Sequence, residues 1–347
     1  MLNQGNTTKA ELAKQLNLSM PTVLSNISEL VEKGLVLEVG EMESTGGRKA
    51  RKLALNENYF FSVGVDITAH HIGLVLVNLG GAVVKQQRIR LDFQSNISYC
   101  RQLGEVIQKF YKKDITEEKI LGIGISLPGI IDRRECTLVK SHALQVENYS
   151  LKMIEQFLPF PIYFENDANA AMLSENIKRL GDAVYLSLSY TLGGAICMNG
   201  NLFTGQNRKA GEFGHMLLVP DGKLCYCGKY GCADAYCAAS VLTRDGTLEE
   251  FMKSLGENKE NRQIWEEYLE NLAILISNIR MIFDTEIILG GEVGGYLDEY
   301  MVELGEKIEI YNRFDRDVSY IRNGIYRREA SAVGVAKYFL QRFVEEG

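Results

Sequence analysis

The segment GHMLLVPDGKLCYCGKYGC, residues 214–232, places one histidine and three of the chain's seven cysteines within a single loop-like stretch. It admits three readings: a disulfide knot, a metal site, or a chance cluster. An odd cysteine count fits a disulfide framework poorly. Residues 1–8 are polar, with no apolar signal core, and no apolar run approaches the length needed to span a bilayer. These features place the chain in the cytoplasm with no membrane partner. Thiols stay reduced there, so clustered cysteines read as metal ligands first. His215, Cys225, Cys227 and Cys232, spaced H-x9-C-x-C-x4-C, offer the one nitrogen and three sulfurs of a closed structural zinc site. Gly228 and Gly231 let the loop double back so that Cys227 and Cys232 face one ion. Cys237 falls outside the pattern, and with Cys100, Cys136 and Cys197 it reads as core or surface filling.

The other end of the chain carries a different signal. The net charge is −7, yet residues 1–58 hold seven Lys/Arg and seven Asp/Glu and sum to zero. The stretch STGGRKARKLAL, residues 44–55, has four cations and no acid, a local basic patch on an acidic protein. Such a run is also what an ordinary solvated loop contains, so its neighbours decide. Leu12, Ala13 and Leu16 recur at helical spacing after a capping Thr8. Ser19 caps a second helix with Pro21 in its first turn, Val23, Ile27, Leu30 and Val31 on one face, and Gly34 at its end. Residues 35–39 and 51–55 read as two strands joined through Gly46-Gly47.

Helix, short turn, helix and a basic-tipped hairpin make a winged helix-turn-helix over residues 1–58. Thr22, Ser25 and Asn26 face away from the apolar stripe, where they can hydrogen-bond bases or phosphates. Arg48, Lys49, Arg51 and Lys52 would position the backbone of operator DNA. A helical protein-interaction module is the plainer alternative. A winged helix ordinarily has a further helix before this pair, and the stretch before Thr8 does not supply one.

Residues 59–347 read as α/β. Strands are expected at 61–67, 72–78 and 82–89, then a helix over 97–111, the strands LGIGIS and PIYF, and a helix entered by ENDANAAMLSE. Strands near 184–188 and 195–198, a long helix over 262–283, the strand EIIL before Gly290-Gly291, and a last helix over 330–343 complete two similar halves.

The order GIGISLPGIID, FENDANAAMLSE, GNLFTGQNRKAGEFGHM, the His/Cys cluster, IILGGEVGG and ASAVGVA resembles the ROK family of repressors and sugar kinases. The resemblance covers residues 59–347, and the leading head is similar to the DNA-binding half of the family's repressors. It implies a two-lobed, actin-like and sugar-kinase-like (ribonuclease H-like) domain behind the winged helix, with zinc held by His215, Cys225, Cys227 and Cys232. It further implies that Gly129, Asn166, Asp167, Glu212, His215 and Asp234 bind a monosaccharide. Asp234 stands where the family usually has Glu, and the second ring nitrogen of His215 is left for a sugar hydroxyl. In the family's kinases the counterpart of Asp167 is the catalytic base; here it is expected to bind ligand only. Taken alone, Asp167 reads equally as an acid in a first helical turn.

The resemblance breaks at the nucleotide. Where the kinases carry Asp-x-Gly-Gly-Thr, this chain reads Asp66-Ile67-Thr68-Ala69-His70, and the second phosphate loop reads Ser189-Tyr190-Thr191-Leu192-Gly193-Gly194-Ala195. Lost glycines put side chains where backbone amides must approach phosphate oxygens, and Tyr190 is expected to intrude. The expectation is a sugar-responsive repressor acting as a homodimer or dimer of dimers, with a sugar kinase and a partner-responsive scaffold as alternatives. His70 and His71 read as surface residues at a hairpin start.

Overall fold

The structure, a computed structural model, describes residues 5–41, 51–175, 181–243, 246–315 and 317–346. Thr8 closes a capping box at the start of α1 (Lys9–Leu16): the Glu11 amide donates to Thr8 Oγ1 at 3.2 Å and the Thr8 amide to Glu11 Oε2 at 2.8 Å. Asn17, left-handed at φ 53°, ends the helix, and Ser19 caps α2 (Met20–Glu32). Val23 and Ile27 meet Leu12, Val36 and Leu53 in a small core. Strands β1 (Val36–Glu41) and β2 (Arg51–Leu55) pair antiparallel, and Thr7 exchanges two backbone hydrogen bonds with Leu53. The wing tip at 42–50, including Gly46, Gly47, Arg48 and Lys49, lies outside the described residues.

Two five-stranded sheets follow. In the first, β3 (Phe61–Ile67), β4 (His71–Asn78) and β5 (Val83–Arg90) form an antiparallel meander. β6 (Ile120–Leu127) and β10 (Ile162–Asn166) extend it in parallel on the other side of β3. Helix α3 (Ile97–Lys112) buries Tyr99, Leu103, Ile107 and Phe110 against the face carrying Val63 and Val65. The second sheet repeats the plan: β11 (Ala183–Leu188), β12 (Leu192–Met198) and β13 (Asn201–Leu202) are antiparallel, and β14 (Glu286–Gly290) and β15 (Ile321–Asn323) add in parallel. Its cover is α6 (Lys259–Phe283) and α7 (Met301–Tyr311), through Trp265, Leu269, Leu272, Leu304 and Ile308. The expected twofold similarity of the halves is therefore present strand for strand.

Besides the two-residue β13, four larger features among the described residues are not anticipated by periodicity. They are the small sheet β7 (Ile130–Asp132), β8 (Thr137–Ser141) and β9 (Val146–Ser150), helix α5 (Leu248–Ser254), helix α7, and strand β15. The short strands are too brief and mixed in polarity to alternate, and α7 begins at Tyr300 with no side-chain cap.

The parts converge on the last helix, α8 (Ala330–Glu346). It lies on the sheet face opposite α3, where glycines let it come close. A Cβ on Gly64 would sit 1.9 Å from the Ala332 carbonyl oxygen, and one on Gly124 2.2 Å from that of Val335. On its other side, a Cβ on Gly334 would sit 1.6 Å from the Ala170 carbonyl oxygen of α4 (Asp167–Ser174). Ser331 Oγ donates to the Asp167 carbonyl at 2.9 Å and Lys337 Nζ to that of Ser174 at 2.7 Å. Farther along, Leu340 and Phe343 pack with Leu35, Leu55 and Tyr59, and Phe60 meets Phe343 edge-on at 5.0 Å. The expected boundary at 58/59 thus falls in a turn pinned to this helix. Among the described residues no helix is long and apolar enough to cross a membrane.

Gly334→Ala is expected to destabilise the protein by about 1–3 kcal/mol through overpacking. Gly256→Ala, with nothing within 4 Å of its Cβ position, should stay within about 0.5 kcal/mol. Calorimetric melting of the two variants checks this, and equal melting temperatures would contradict the close crossing.

Candidate functional site

His215 ends a short 3-10 turn (Phe213–His215), and the loop after it folds back through bridges pairing Leu217 with Cys232 and Leu224 with Tyr230. Gly231, at φ 80°, has its Cβ position 1.8 Å from the Val219 carbonyl oxygen, so only glycine fits that crossing. The fold-back brings one donor atom from each of His215, Cys225, Cys227 and Cys232 within 4.8 Å of every other. Cys227 and Cys232 sulfurs are 3.7 Å apart, and Cys225 Sγ is 3.8 Å from His215 Nδ1. A disulfide needs about 2.05 Å. A tetrahedron with metal–sulfur bonds of about 2.3 Å has edges of about 3.7 Å. The cluster therefore has the dimensions of a closed metal site. Cys100, Cys136, Cys197 and Cys237 stand apart from it, as expected.

Beside the cluster, the two lobes enclose a cavity of about 410 Å³ lined by Gly129, Asn166, Asp167, Glu212 and His215. Asn166 ends β10 and caps α4, its Oδ1 accepting from the Asn169 amide at 3.0 Å. Its Nδ2 donates to the Gly129 carbonyl and to Asp167 Oδ1, both at 3.0 Å. Gly129 adopts φ 123°, and a Cβ there would lie 2.4 Å from the Lys140 carbonyl oxygen. Asp167 opens α4 as a first-turn acid and also lines the cavity. Burial pushes its carboxyl up to about 6, and the Glu212 charge adds to this; the Ala168 amide and Asn166 side chain pull the other way. Burial likewise raises the Glu212 carboxyl and lowers the His215 imidazole.

Asp234 is the exception among the expected ligands. It is buried, its Oδ1 accepts from the Leu192 amide at 2.7 Å, and it is not among the cavity-lining residues. Burial pushes its carboxyl up to about 6. Tyr226, His142, Arg133 and Lys209 line the cavity without having been expected there. Of these only Tyr226 had a local signal, lying between two cluster cysteines.

In the head, Thr22, Ser25 and Asn26 are exposed on α2, with Thr22 Oγ1 also 2.8 Å from the capping Ser19 hydroxyl. Arg51 is ion-paired with Glu38 across the hairpin, and Lys52 follows it on β2. Arg48 and Lys49 are outside the described residues.

Asp66 and Arg88 share one cross-strand row with Gly73 between them. Arg88 reaches Glu292 at 4.0 Å and Arg328 reaches the same carboxylate at 3.0 Å, so the ion triad joins the first sheet to the turn after β14. Asp66 accepts from Ser126 Oγ at 2.8 Å, and burial pushes its carboxyl up to about 7. Tyr190 is 72% exposed. Gly291, at φ 78°, has its Cβ position 2.7 Å from the Leu188 backbone, a packing reason for that glycine. His70 is exposed and pairs with Asp92 at 2.8 Å.

The family model described as "ROK family" matches residues 62–342, and one described as "Winged helix-turn-helix DNA-binding" matches residues 1–36. A xylose repressor of Caldicellulosiruptor bescii is 28% identical over 330 residues, covering 85% of this chain and 82% of the relative. The dual regulator NagC of Escherichia coli is 26% identical over 246 residues, covering 69% of this chain and 60% of its own. Among solved structures, a ROK family transcriptional regulator homologous to the Escherichia coli MLC protein superposes with TM-score 0.74 at 19% identity, covering 98% of this chain and 95% of that one. A ROK family glucokinase from Streptomyces griseus, solved with glucose and AMPPNP, gives TM-score 0.63 at 21% identity, covering 80% and 98%.

Cys227→Ser is expected to lose most of the bound metal, whereas Cys136→Ser, outside the cluster, keeps it. Elemental analysis of the two purified variants checks this; equal metal content would remove the cluster as the binding site.

Proposed function

This chain belongs to the ROK family, and on that footing we propose that it is a sugar-responsive transcriptional repressor of carbohydrate-metabolism genes. It binds operator DNA through the winged helix and a monosaccharide in the cavity between the lobes. The observation that carries this reading is the convergence of Asn166, Asp167, Glu212 and His215 on one cavity, in a chain headed by a DNA-binding module. Carboxylates, an amide and an imidazole match the several donors and acceptors of a sugar, and a polar pocket rejects ligands that leave it unpaired. The names of the relatives make xylose and N-acetylglucosamine the first sugars to test.

Zinc is the ion we assign to the cluster. His215 and the three cysteines would hold it, and it would supply stiffness to the loop and a fixed imidazole tautomer, with no part in bond breaking. Thr22, Ser25 and Asn26 would meet base edges or phosphates, and Arg48, Lys49, Arg51 and Lys52 the DNA backbone. The protein would act in the cytoplasm as a homodimer or dimer of dimers, since paired heads match two operator half-sites. Communication is supported by α8. One side of it holds the Asp167 backbone and the Ala170 turn, and its far end packs on Leu35, Leu55 and Tyr59 of the head. A sugar that shifts α4 therefore acts on the head through one packed rod.

An ATP-dependent sugar kinase is the second reading, favoured by the retained position of Asp167. The altered phosphate loops support the repressor instead.

Two outcomes are expected. Calorimetry should detect a sugar that also changes affinity for DNA fragments selected from a random pool, while coupled assays show no sugar-dependent ATP turnover; robust turnover would overturn the reading. Sugar affinity should be flat above about pH 7 and decline as pH falls through about 6, because the raised Asp167 carboxyl takes up its proton there and stops accepting hydroxyl hydrogen bonds. Asp167→Asn should bind about tenfold or more weakly and lose most of that pH dependence. A profile unchanged by the substitution would remove Asp167 from the contact.

A further inference from the structure

Tyr226 sits in the metal loop between Cys225 and Cys227, yet it lines the cavity and is half exposed to it. Its hydroxyl lies 3.3 Å from His215 Nε2. The other nitrogen of that ring, Nδ1, faces Cys225 Sγ. Nε2 is thus the nitrogen left for a ligand, and a hydroxyl already stands on it. The Tyr226 ring meets the His215 ring edge-on at 5.3 Å. On its other side it approaches the His142 ring at 5.7 Å and 59°. His142 belongs to the turn between β8 and β9, on the first lobe. A side chain rooted in the second lobe therefore spans the cavity and touches the first.

We propose that Tyr226 is the residue that sets specificity and response in this pocket. In the sugar-free protein its phenol holds the sugar-hydroxyl position on His215, and its ring ties the lobes together through His142. A sugar gains Nε2 only by displacing the phenol, and the displacement breaks the tie. The pocket accordingly favours sugars that present a hydroxyl to Nε2 and leave room for the swung-out ring, and it penalises those that lack that hydroxyl. This rests on the sugar-binding reading above, and it assigns to one side chain the step by which occupancy becomes a change between the lobes.

The test uses the full-length, metal-loaded protein and Tyr226→Phe, which keeps the ring and removes only the competing hydroxyl. One neutral hydrogen bond has a net worth of about 0.5–1.5 kcal/mol, so the bound sugar, xylose, glucose or N-acetylglucosamine, is expected to bind about two- to tenfold more tightly to the variant. Metal content, measured in parallel, stays at the wild-type level. Equal or weaker binding by Tyr226→Phe with the metal retained overturns the proposal, weaker binding identifying Tyr226 as a direct sugar contact. His142→Ala should also tighten binding, and the double variant should gain less than the sum of the two; simple additivity overturns the tie between the lobes. One readout needs no sugar. The His215 Nε2 resonance in nitrogen-15 spectra shifts between wild type and Tyr226→Phe, and an unmoved resonance overturns the phenol–imidazole contact even if the sugar-binding reading stands. Absence of sugar binding by wild type with a shifted resonance instead strikes the sugar-binding reading and leaves the contact.

Discussion

The arrangement of this molecule depends on how closely α8 approaches its neighbours. The helix is admitted by glycines on both sides: Gly64 and Gly124 in the first sheet, and its own Gly334 against the Ala170 carbonyl. A methyl group at any of these places would collide with backbone, which has no rotamer by which to move away. Close approach makes α8 the common wall of the first sheet, of α4 and of the docking surface under the winged helix. The position of Asp167 and the seat of the head are therefore fixed by one element. Packed contacts of this kind are hard to deform gradually and tend to switch between discrete arrangements, which suits a protein that must report an occupied pocket at a distance.

A similar economy governs the pocket. Asn166 caps α4, bonds the Gly129 loop and steadies the Asp167 carboxylate. His215 belongs at once to the metal cluster and to the cavity wall. Each residue is held by structure on one side and faces the cavity on the other, which preorganises polar groups that would be costly to bury unpaired. Elsewhere charge is matched with charge: Arg88, Glu292 and Arg328 satisfy one another.

What could be read from the residues alone was mostly what is local. The capping box of Thr8 and Glu11, the capping Ser19 and the helical spacing of Val23 and Ile27 are short-range facts, and they located α1 and α2. The His/Cys cluster was legible because its three cysteines lie on one folded-back loop whose turns are marked by Gly228 and Gly231. The sheet β7–β9 was not, because its strands are only three to five residues long and each carries a charge among few apolar residues. Tyr226 had a local signal in its place between two cluster cysteines, but its nearness to His142, a residue of the other lobe, comes only from tertiary structure. Tyr190 was expected to intrude at the second phosphate loop, and it is 72% exposed; the feature that the sequence did not announce is the Arg88–Glu292–Arg328 triad, drawn from three distant segments. Arg88 gave no sign of this role, since its partner Gly73 matters only once β3, β4 and β5 are in register.

Asp234 carries one more implication. Its carboxylate accepts from the amide of Leu192, the first residue of β12, so this side chain serves as a strand anchor. A glutamate would carry the acid about 1.5 Å farther, out of register with that amide. The anchor thus depends on side-chain length at a single carbon, and a chain with the longer acid here would have to secure the start of β12 by other means.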